Sequence, residues 1–501
     1  MDSVKNIFGQ KVVLGKKDYL SIAVTVIYAL ITLVIVVHHE PYEDEVNVWM
    51  ILHNLEGLAM WRHIVEDGNP PGFFLLLMPL VKSGLSFLSV KLVCWFSCVM
   101  SVFLLNRFSP FPWFLNLIIT FSAPMLYIYP AITRCYSILP LLIILAAVLH
   151  PNETERADGK RNVLYLLVLA AIAQNHVIMF AFAGLMLARF VYRHFYKGCE
   201  RRPGVITAAF IVCVALAAIV VQCFIAVKTN SGYTHLNKIN SGLVSNILSS
   251  YFSGFSGIFT DFDNTGILYY VFLCTAVLVF CLLLWLLYKA EKKSAVVFML
   301  SVLFPFYIYV TRYSVIQSTR VFIAHFLFVF FFWLIAENKK TVQIQKKKVT
   351  FLLMFLFLLS VPGGMIMAVR DFRSEFSGAE NMAFFIKENV PDDGSSVIVS
   401  LATSQTTHIA YYLYPRPLYS LKGEKIRYID LHPEALENRL MESGILNGKK
   451  YLYVIFPKYQ KEFSGYLSSF TAGLELKGYK FIYETPPAIS PGQDFLLYRI
   501  P

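Results

Sequence analysis

Two adjacent carboxylates, Asp44 and Glu45, stand at the start of a hydrophilic stretch, Tyr42–Pro71, that directly follows an apolar run. A second acidic pair, Glu66 and Asp67, leads into the turn Gly68-Asn69-Pro70-Pro71 that ends it. Carboxylates held beside a membrane can take the proton of an attacking hydroxyl. From Glu45 onward, Val48, Leu52, Leu55 and Ala59 recur at helical spacing, with His53, Asn54 and Glu56 off that face. The pattern predicts one amphipathic helix lying in the interface. Asp44 and Glu45 then fall in its first turn, where the helix dipole favours an anion. Simple capping of the helix is the other role open to them.

Cationic and polar residues recur at the ends of other apolar runs. Arg134 sits in AITRCYSILP, His176 in AIAQNHVIM, and Arg312 and Arg320 flank RYSVIQSTR. A charge at membrane depth faces a partner or a wet cavity, and the guanidinium fork matches phosphate oxygens. Each also has a plain reading: a snorkelling arginine, a turn histidine, or charges that mark loop ends. Taken together they suggest a carboxylate base and several cations gathered beside lipid. No GxxxxGK[ST] phosphate loop occurs. A group transferred outside the cytoplasm must therefore arrive activated on a carrier within the membrane, and a polyprenyl-phosphate sugar fits. Arginines would stabilise the leaving phosphate while a carboxylate deprotonates the acceptor.

The elements that must position these groups are membrane helices. Hydrophobic residues make up 57% of the chain and charged residues 15%, with mean hydropathy +0.58; these values fit a polytopic helical membrane protein. Apolar runs near 20–37, 89–105, 112–132, 136–150, 162–175, 177–192, 205–227, 266–288, 295–310, 320–336 and 349–369 give about eleven spans. The piece 72–88, broken by Pro79, Lys82 and Gly84, is expected to be half-inserted. Counting it as a full span would export most of the basic clusters at Lys16–Lys17, Arg156/Lys160/Arg161, Arg201–Arg202, Lys292–Lys293 and Lys346–Lys348, against the positive-inside rule. The N-terminus is then cytoplasmic. The first outer loop 38–71, the turns at Arg134, His176 and Arg312–Arg320, the long outer loop 228–265 and the C-terminal tail share the opposite side. The first run is expected to be a retained helix rather than a signal peptide, and the sequon Asn152-Glu153-Thr154 would face the cytoplasm, unglycosylated.

The expected division is a catalytic membrane domain over 1–370 and a small extracytoplasmic α/β domain over 371–501. Charges nearly balance in the second part, so the net +12 belongs to the first and argues for topology, not for nucleic acid. Helices near 379–389 and 404–413 and strands at 396–400, 451–456, 479–483 and 495–500 are expected there. No cysteine follows residue 370, so the tail has no disulfide framework, and no CxxC pair marks a metal site.

The segments DEVNVW, GNPPGFFLLLMPL, NRFSPFP, YIYPAITRCYSILP and AAIAQNHV resemble the GT-C superfamily of polyprenyl-phosphate-dependent glycosyltransferases. They are most similar to the bacterial branch related to lipid A aminoarabinose transferase and protein O-mannosyltransferases. The likeness covers about residues 20–370 in layout, with motif identity mainly in 38–180. It implies that Asp44 is the catalytic base, with Glu45 matching the acidic residue after it. It also matches Arg134 and Tyr136 to an Arg-x-Tyr element on the donor phosphate, and Arg320, more weakly, to a late arginine. Where the family has His-Pro-Pro at the end of the first loop, this chain has Asn69-Pro70-Pro71, which cannot supply a titrating group there.

Inversion at the anomeric carbon by single displacement is implied, with the reaction on the outer face of a bacterial cytoplasmic membrane. The family has members with and without a divalent metal, so none is assigned. The acceptor is left open among envelope glycan, teichoic acid, lipid and protein. Glu66, Asp67, Asn69 and His176 are candidates for shaping the loop or the acceptor site. Two other classes remain: a transporter or flippase of lipid-linked sugars, which would show mid-span charges and an internal repeat, and a non-enzymatic envelope assembly protein.

Overall fold

A computed structural model describes residues 15–151, 159–193, 203–229, 239–256, 267–312, 318–337, 343–402, 405–420, 422–429, 444–458, 480–490 and 492–500. The sequon at 152–154, Arg156, Arg201–Arg202 and the stretches 230–238 and 257–265 of the expected outer loop lie outside them. Among the described residues, seven helices are long and apolar enough to cross a membrane. Trp113–Thr120 and Pro124–Ala131, bent by 51° at their junction, add an eighth if the pair is counted as one span. The chain is a multi-pass membrane protein.

About eleven spans were expected, and the difference lies in short or broken segments. The run 112–132 is interrupted at 121–123 and continues as a π-helical turn, Pro124–Ile128. Cys135–Leu149, Gly159–Asn175 and Val177–Val191 are too short to count, and the first and last of them begin with a 3₁₀ turn. Arg134 and His176 sit at these breaks. The region 228–265, expected to be a loop, contains the helix Ser241–Ser256, and His325 Nε2 is 3.0 Å from Phe255 O.

The first span, α1 (Lys16–His38), ends at His39, and the loop that follows carries two helices, α2 (Glu43–Asn54) and α3 (Gly57–Glu66). This corrects the single amphipathic helix. Leu55 and Glu56 are extended, and Gly57 takes φ +52°, a left-handed conformation that L side chains avoid. Ala59 therefore belongs to a different helix from Val48 and Leu52. After the Pro-Pro turn, α4 (Gly72–Lys82) has 11 residues, a length of about 16 Å at 1.5 Å per residue. It is too short to cross a hydrocarbon core of about 30 Å. The chain turns at Ser83–Ser86 and crosses as α5 (Phe87–Phe108).

Two later helices complete the frame. Ser318–Glu337 is the most enclosed span and carries Arg320 in its first turn. Gln343–Arg373 approaches the break at 121–123 so closely that a Cβ on Gly364 would lie 2.6 Å from the Ala123 Cα. That approach brings Asp371, two turns further along, against the end of α1.

The C-terminal part is a small mixed α/β domain. Strands β1 (Ser396–Ser400), β2 (Tyr451–Pro457), β3 (Lys480–Glu484) and β4 (Phe495–Ile500) form one sheet in the order β1-β2-β4-β3. β1 and β2 are parallel, and the other pairs antiparallel. Val397, Val399, Leu401, Val454 and Phe456 form a core on one face. The helix Ala379–Asn389 packs on the other, where Phe385 stacks on Tyr483 at 4.1 Å. The domain docks on the first loop. Ile429 N donates to Asn47 Oδ1 (2.9 Å), Asn54 Nδ2 donates to Arg427 O (2.9 Å), and Tyr428 packs against His63.

Candidate active site

The site is built where the first turn of α2 meets the segment between the bent span and Cys135–Leu149. Tyr42 is the residue before α2, so Glu43, Asp44 and Glu45 fill the helix's first turn, where the free N–H groups and the dipole favour negative charge. Asp44 Oδ2 lies 2.7 Å from Arg134 Nη1. The Asp44 side chain is 35% exposed and that of Arg134 16%, so the pair opens to solvent. Arg134 remains cationic: burial opposes its charge, but Asp44 outweighs it.

Glu45, one residue on, is in a different environment. It is fully buried, and both carboxylate oxygens are occupied. Oε2 accepts from Thr133 N at 2.7 Å; Oε1 accepts from Tyr42 N at 3.4 Å and from His39 Nε2 at 3.1 Å. The neighbouring residues Asp44 and Glu45 thus hold the neighbouring residues Arg134 and Thr133. Asp44 has the accessible carboxylate, whereas Glu45 fixes the backbone.

Glu43 completes the turn. Burial and the adjacent Asp44 push its carboxyl up to about 8, against the opposing effects of Gln493, whose Nε2 lies 3.5 Å from Glu43 Oε2, and Arg134. At neutral pH this side chain is largely protonated, so it adds little negative charge to the Asp44–Arg134 pair.

Behind Arg134, Tyr136 is buried, its ring 6.3 Å from that of His176. His176 Nδ1 accepts from Ile178 N at 3.3 Å, capping the 3₁₀ turn Val177–Met179. Burial, then Arg320 and Arg134, hold its imidazole well below the usual range, so it is neutral. Arg320 therefore acts on His176 together with Arg134, and its guanidinium is 5.7 Å from the Tyr309 ring centroid. Arg312 is the last residue of Lys292–Arg312, and its side chain lies outside the described residues.

The end of the first loop also reaches the site. Burial raises the Asp67 carboxyl; Asn69, Arg134 and His63 oppose the rise, and Asp44 adds to it. Asn69 Nδ2 donates to Asp67 Oδ2 at 3.0 Å, so Asn69 orients the acid as a neutral hydrogen-bond donor. Glu66 pairs with Arg62 one helical turn away at 2.9 Å. Among the described residues no group of three or more His, Cys, Asp or Glu side chains has the geometry to hold a metal ion.

The site thus gathers Asp44, Arg134, Tyr136, His176, Arg320, Asp67 and Asn69. Glu43, His39 and Asp371 were not singled out from the sequence. Glu43 is the residue before Asp44 in the same acidic run, and Asp371 is an acid at the end of a long apolar run, so both carried a signal.

No family model matches the chain, and no curated protein does. Two crystal structures are similar over nearly its whole length. ArnT from Cupriavidus metallidurans in the apo state is 12% identical with a TM-score of 0.50, covering 95% of this chain and 97% of that one. The same protein bound to undecaprenyl phosphate is 10% identical with a TM-score of 0.51, covering 97% and 98%. Identity at this level shows the fold alone, and the chain has an ArnT-like fold.

Proposed function

We propose that this chain is an inverting glycosyltransferase that moves a sugar from a polyprenyl-phosphate carrier to a cell-envelope acceptor on the outer face of the bacterial cytoplasmic membrane. The observation that carries this reading is the solvent-open Asp44–Arg134 pair in an ArnT-like fold. With substrates bound, the two members separate their tasks. Arg134 turns to the donor phosphate, with Arg320 on its further oxygens and Tyr136 beside it, and Asp44 faces the acceptor hydroxyl. The acceptor oxygen attacks the anomeric carbon as the bond to the phosphate oxygen breaks. Its proton passes to Asp44, and polyprenyl phosphate leaves with its charge stabilised by the arginines. One base and one stabilised leaving group suffice for a single displacement.

The donor's tail has a matching surface. An apolar groove of about 670 Å³ lies between α4, α5 and Cys135–Leu149, lined by Leu76, Leu80, Leu92, Phe96, Leu141 and Leu142. Gln174 and Asn175 also line it, and Asn175 Nδ2 donates to the carbonyl of Cys135, so a prenyl chain lying in it could bring its phosphate toward Arg134. That ArnT has been seen with undecaprenyl phosphate supports this choice of carrier.

The test is transfer from a panel of radiolabelled polyprenyl-phosphate sugars in proteoliposomes holding the full chain and an envelope-lipid extract. Label moving from one donor to an acceptor, with release of polyprenyl phosphate, is expected. No transfer from any donor would end this reading.

A further inference from the structure

Behind the Asp44–Arg134 pair lies a buried set of charges that the proposed chemistry does not use. His39, at the end of α1, lies between two carboxylates. Its Nε2 is 3.1 Å from Glu45 Oε1 and its Nδ1 is 2.9 Å from Asp371 Oδ2, with all three side chains sealed from solvent. Tyr127 OH is 3.4 Å from Nδ1, and the Phe376 ring covers the imidazole edge at 4.5 Å. Lys91 Nζ, on α5, donates to the His39 carbonyl at 2.7 Å. Two buried carboxylates beside one imidazole need it charged, with both ring nitrogens donating; a neutral ring can donate to one only. Burial works against that charge, but Glu45 and Asp371 outweigh it and hold the imidazole at about 9.

The hydrogen bonds run from this imidazole to the site without a gap. His39 fixes Glu45, Glu45 Oε2 fixes the Thr133 amide, and the next residue is Arg134. Asp44, next to Glu45, closes the ring by its ion pair with Arg134. Once substrates draw Asp44 and Arg134 apart, the Glu45–Thr133 bond is what still sets the spacing between base and phosphate anchor. A misplacement of about 1 Å in such a pair can cost a hundredfold in rate.

We propose that His39 is a positioning residue which, as an imidazolium clamped between Glu45 and Asp371, ties the end of the helix Gln343–Arg373 to the spacing of Asp44 and Arg134. This rests on the glycosyl-transfer reading. Glu45 is then a positioning residue as well, not a second base.

The experiment compares wild type, His39→Gln, Asp371→Asn and the double variant as full chains in nanodiscs, measuring undecaprenyl phosphate affinity, sugar-transfer kinetics and thermal unfolding. Each single variant is expected to lower kcat at least tenfold with donor KM within about threefold. The double variant should lose little more than the worse single, because both break one clamp. The groups facing His39 are Glu45, Asp371, Tyr127 and, through its carbonyl, Lys91. Wild-type kcat should fall above about pH 9 as the imidazole loses its charge, and that limb should vanish in His39→Gln. A His39→Gln enzyme with wild-type kcat and an unchanged alkaline limb, differing only in melting temperature, would overturn the proposal. If His39→Gln does not fold, Asp371→Asn alone decides on the same readouts. A wild type that neither binds undecaprenyl phosphate nor transfers sugar would instead sink the glycosyltransferase reading, and the positioning role with it.

Discussion

Arg134 Nη1 sits 2.7 Å from Asp44 Oδ2, and one residue along in each segment Thr133 N meets Glu45 Oε2 at the same distance. Two consecutive residues of a helix's first turn thus grip two consecutive residues at a break in the membrane helices. Of the two carboxylates, only that of Asp44 is open to a substrate.

In the proposed reaction Arg134 faces the leaving phosphate, where charge develops in the displacement. Arg134→Ala is expected to lower kcat by about 10²–10³, the usual cost of removing one such donor. Arg134→Lys should recover part of the loss, because a point charge replaces the fork without its paired hydrogen bonds. Steady-state kinetics over donor concentration would check both; Arg134→Ala with unaltered kcat would remove this arginine from the chemistry.

Glu43 is held largely protonated at neutral pH by burial and by Asp44, with its carboxyl at about 8. Above that pH a second negative charge appears beside Arg134 and competes with the donor phosphate. Donor KM is expected to rise from pH 7 to pH 9 in the wild type and to stay flat in Glu43→Gln, whose rate at pH 7 should lie within about threefold of wild type. A KM that rises equally in both would assign the effect elsewhere.

Glu40 joins the first span to the C-terminal domain. Its carboxylate oxygens accept from Ser377 N (3.0 Å) and Glu380 N (2.9 Å), at the start of the helix Ala379–Asn389. Burial pushes its carboxyl up to about 8 even though those donors pull it down. A carboxyl raised in the folded state contributes stability that is complete below its unfolded value, near 4.5, and lost as pH rises through the folded value. Melting temperature in nanodiscs is therefore expected to fall between pH 7 and pH 9, and less steeply in Glu40→Gln. Parallel slopes for the two proteins would contradict this.

Gly364 allows the helix Gln343–Arg373 to touch the backbone at Ala123. Gly364→Ala puts a methyl 2.6 Å from the Ala123 Cα, so one helix must shift, at a cost of about 1–3 kcal/mol. The expected result is a lower melting temperature together with reduced transfer, since Asp371 rides on the same helix. Wild-type behaviour in both would show that the approach is not required.

Much of this site was legible in the sequence because charged residues in an apolar chain are costly and therefore conspicuous. Asp44, Arg134, His176 and Arg320 all mark ends or breaks of apolar runs, and in the structure Arg134 pairs with Asp44 while Arg320 and Arg134 both act on His176. The four strands and two helices of the tail fall within a few residues of their expected positions, because alternation and helical periodicity are strong there. What stayed hidden was pairing over long distances. Nothing local ties Asp371 to His39, or Glu40 to the helix after Gly378, since those bonds depend on how the last span packs against the first. The single amphipathic helix was misread for a local reason: apolar spacing continues through 55–59, while the left-handed Gly57 breaks the backbone. Glu45 looked equivalent to Asp44 because sequence gives no depth; its partners Thr133 and His39 distinguish it.

The most direct measurement is single-turnover sugar transfer by Asp44→Asn, a change that keeps the side chain's size and its place in the first turn but removes the base. With the donor found for the wild type, and with folding verified by melting temperature and undecaprenyl phosphate affinity, transfer should fall by about 10²–10⁴-fold, the usual share of a general base. Asp44→Glu should retain a small residual rate. A folded, donor-binding Asp44→Asn enzyme that transfers at the wild-type rate would contradict the account and move the base to another carboxylate in the pocket, with Asp67 the next candidate.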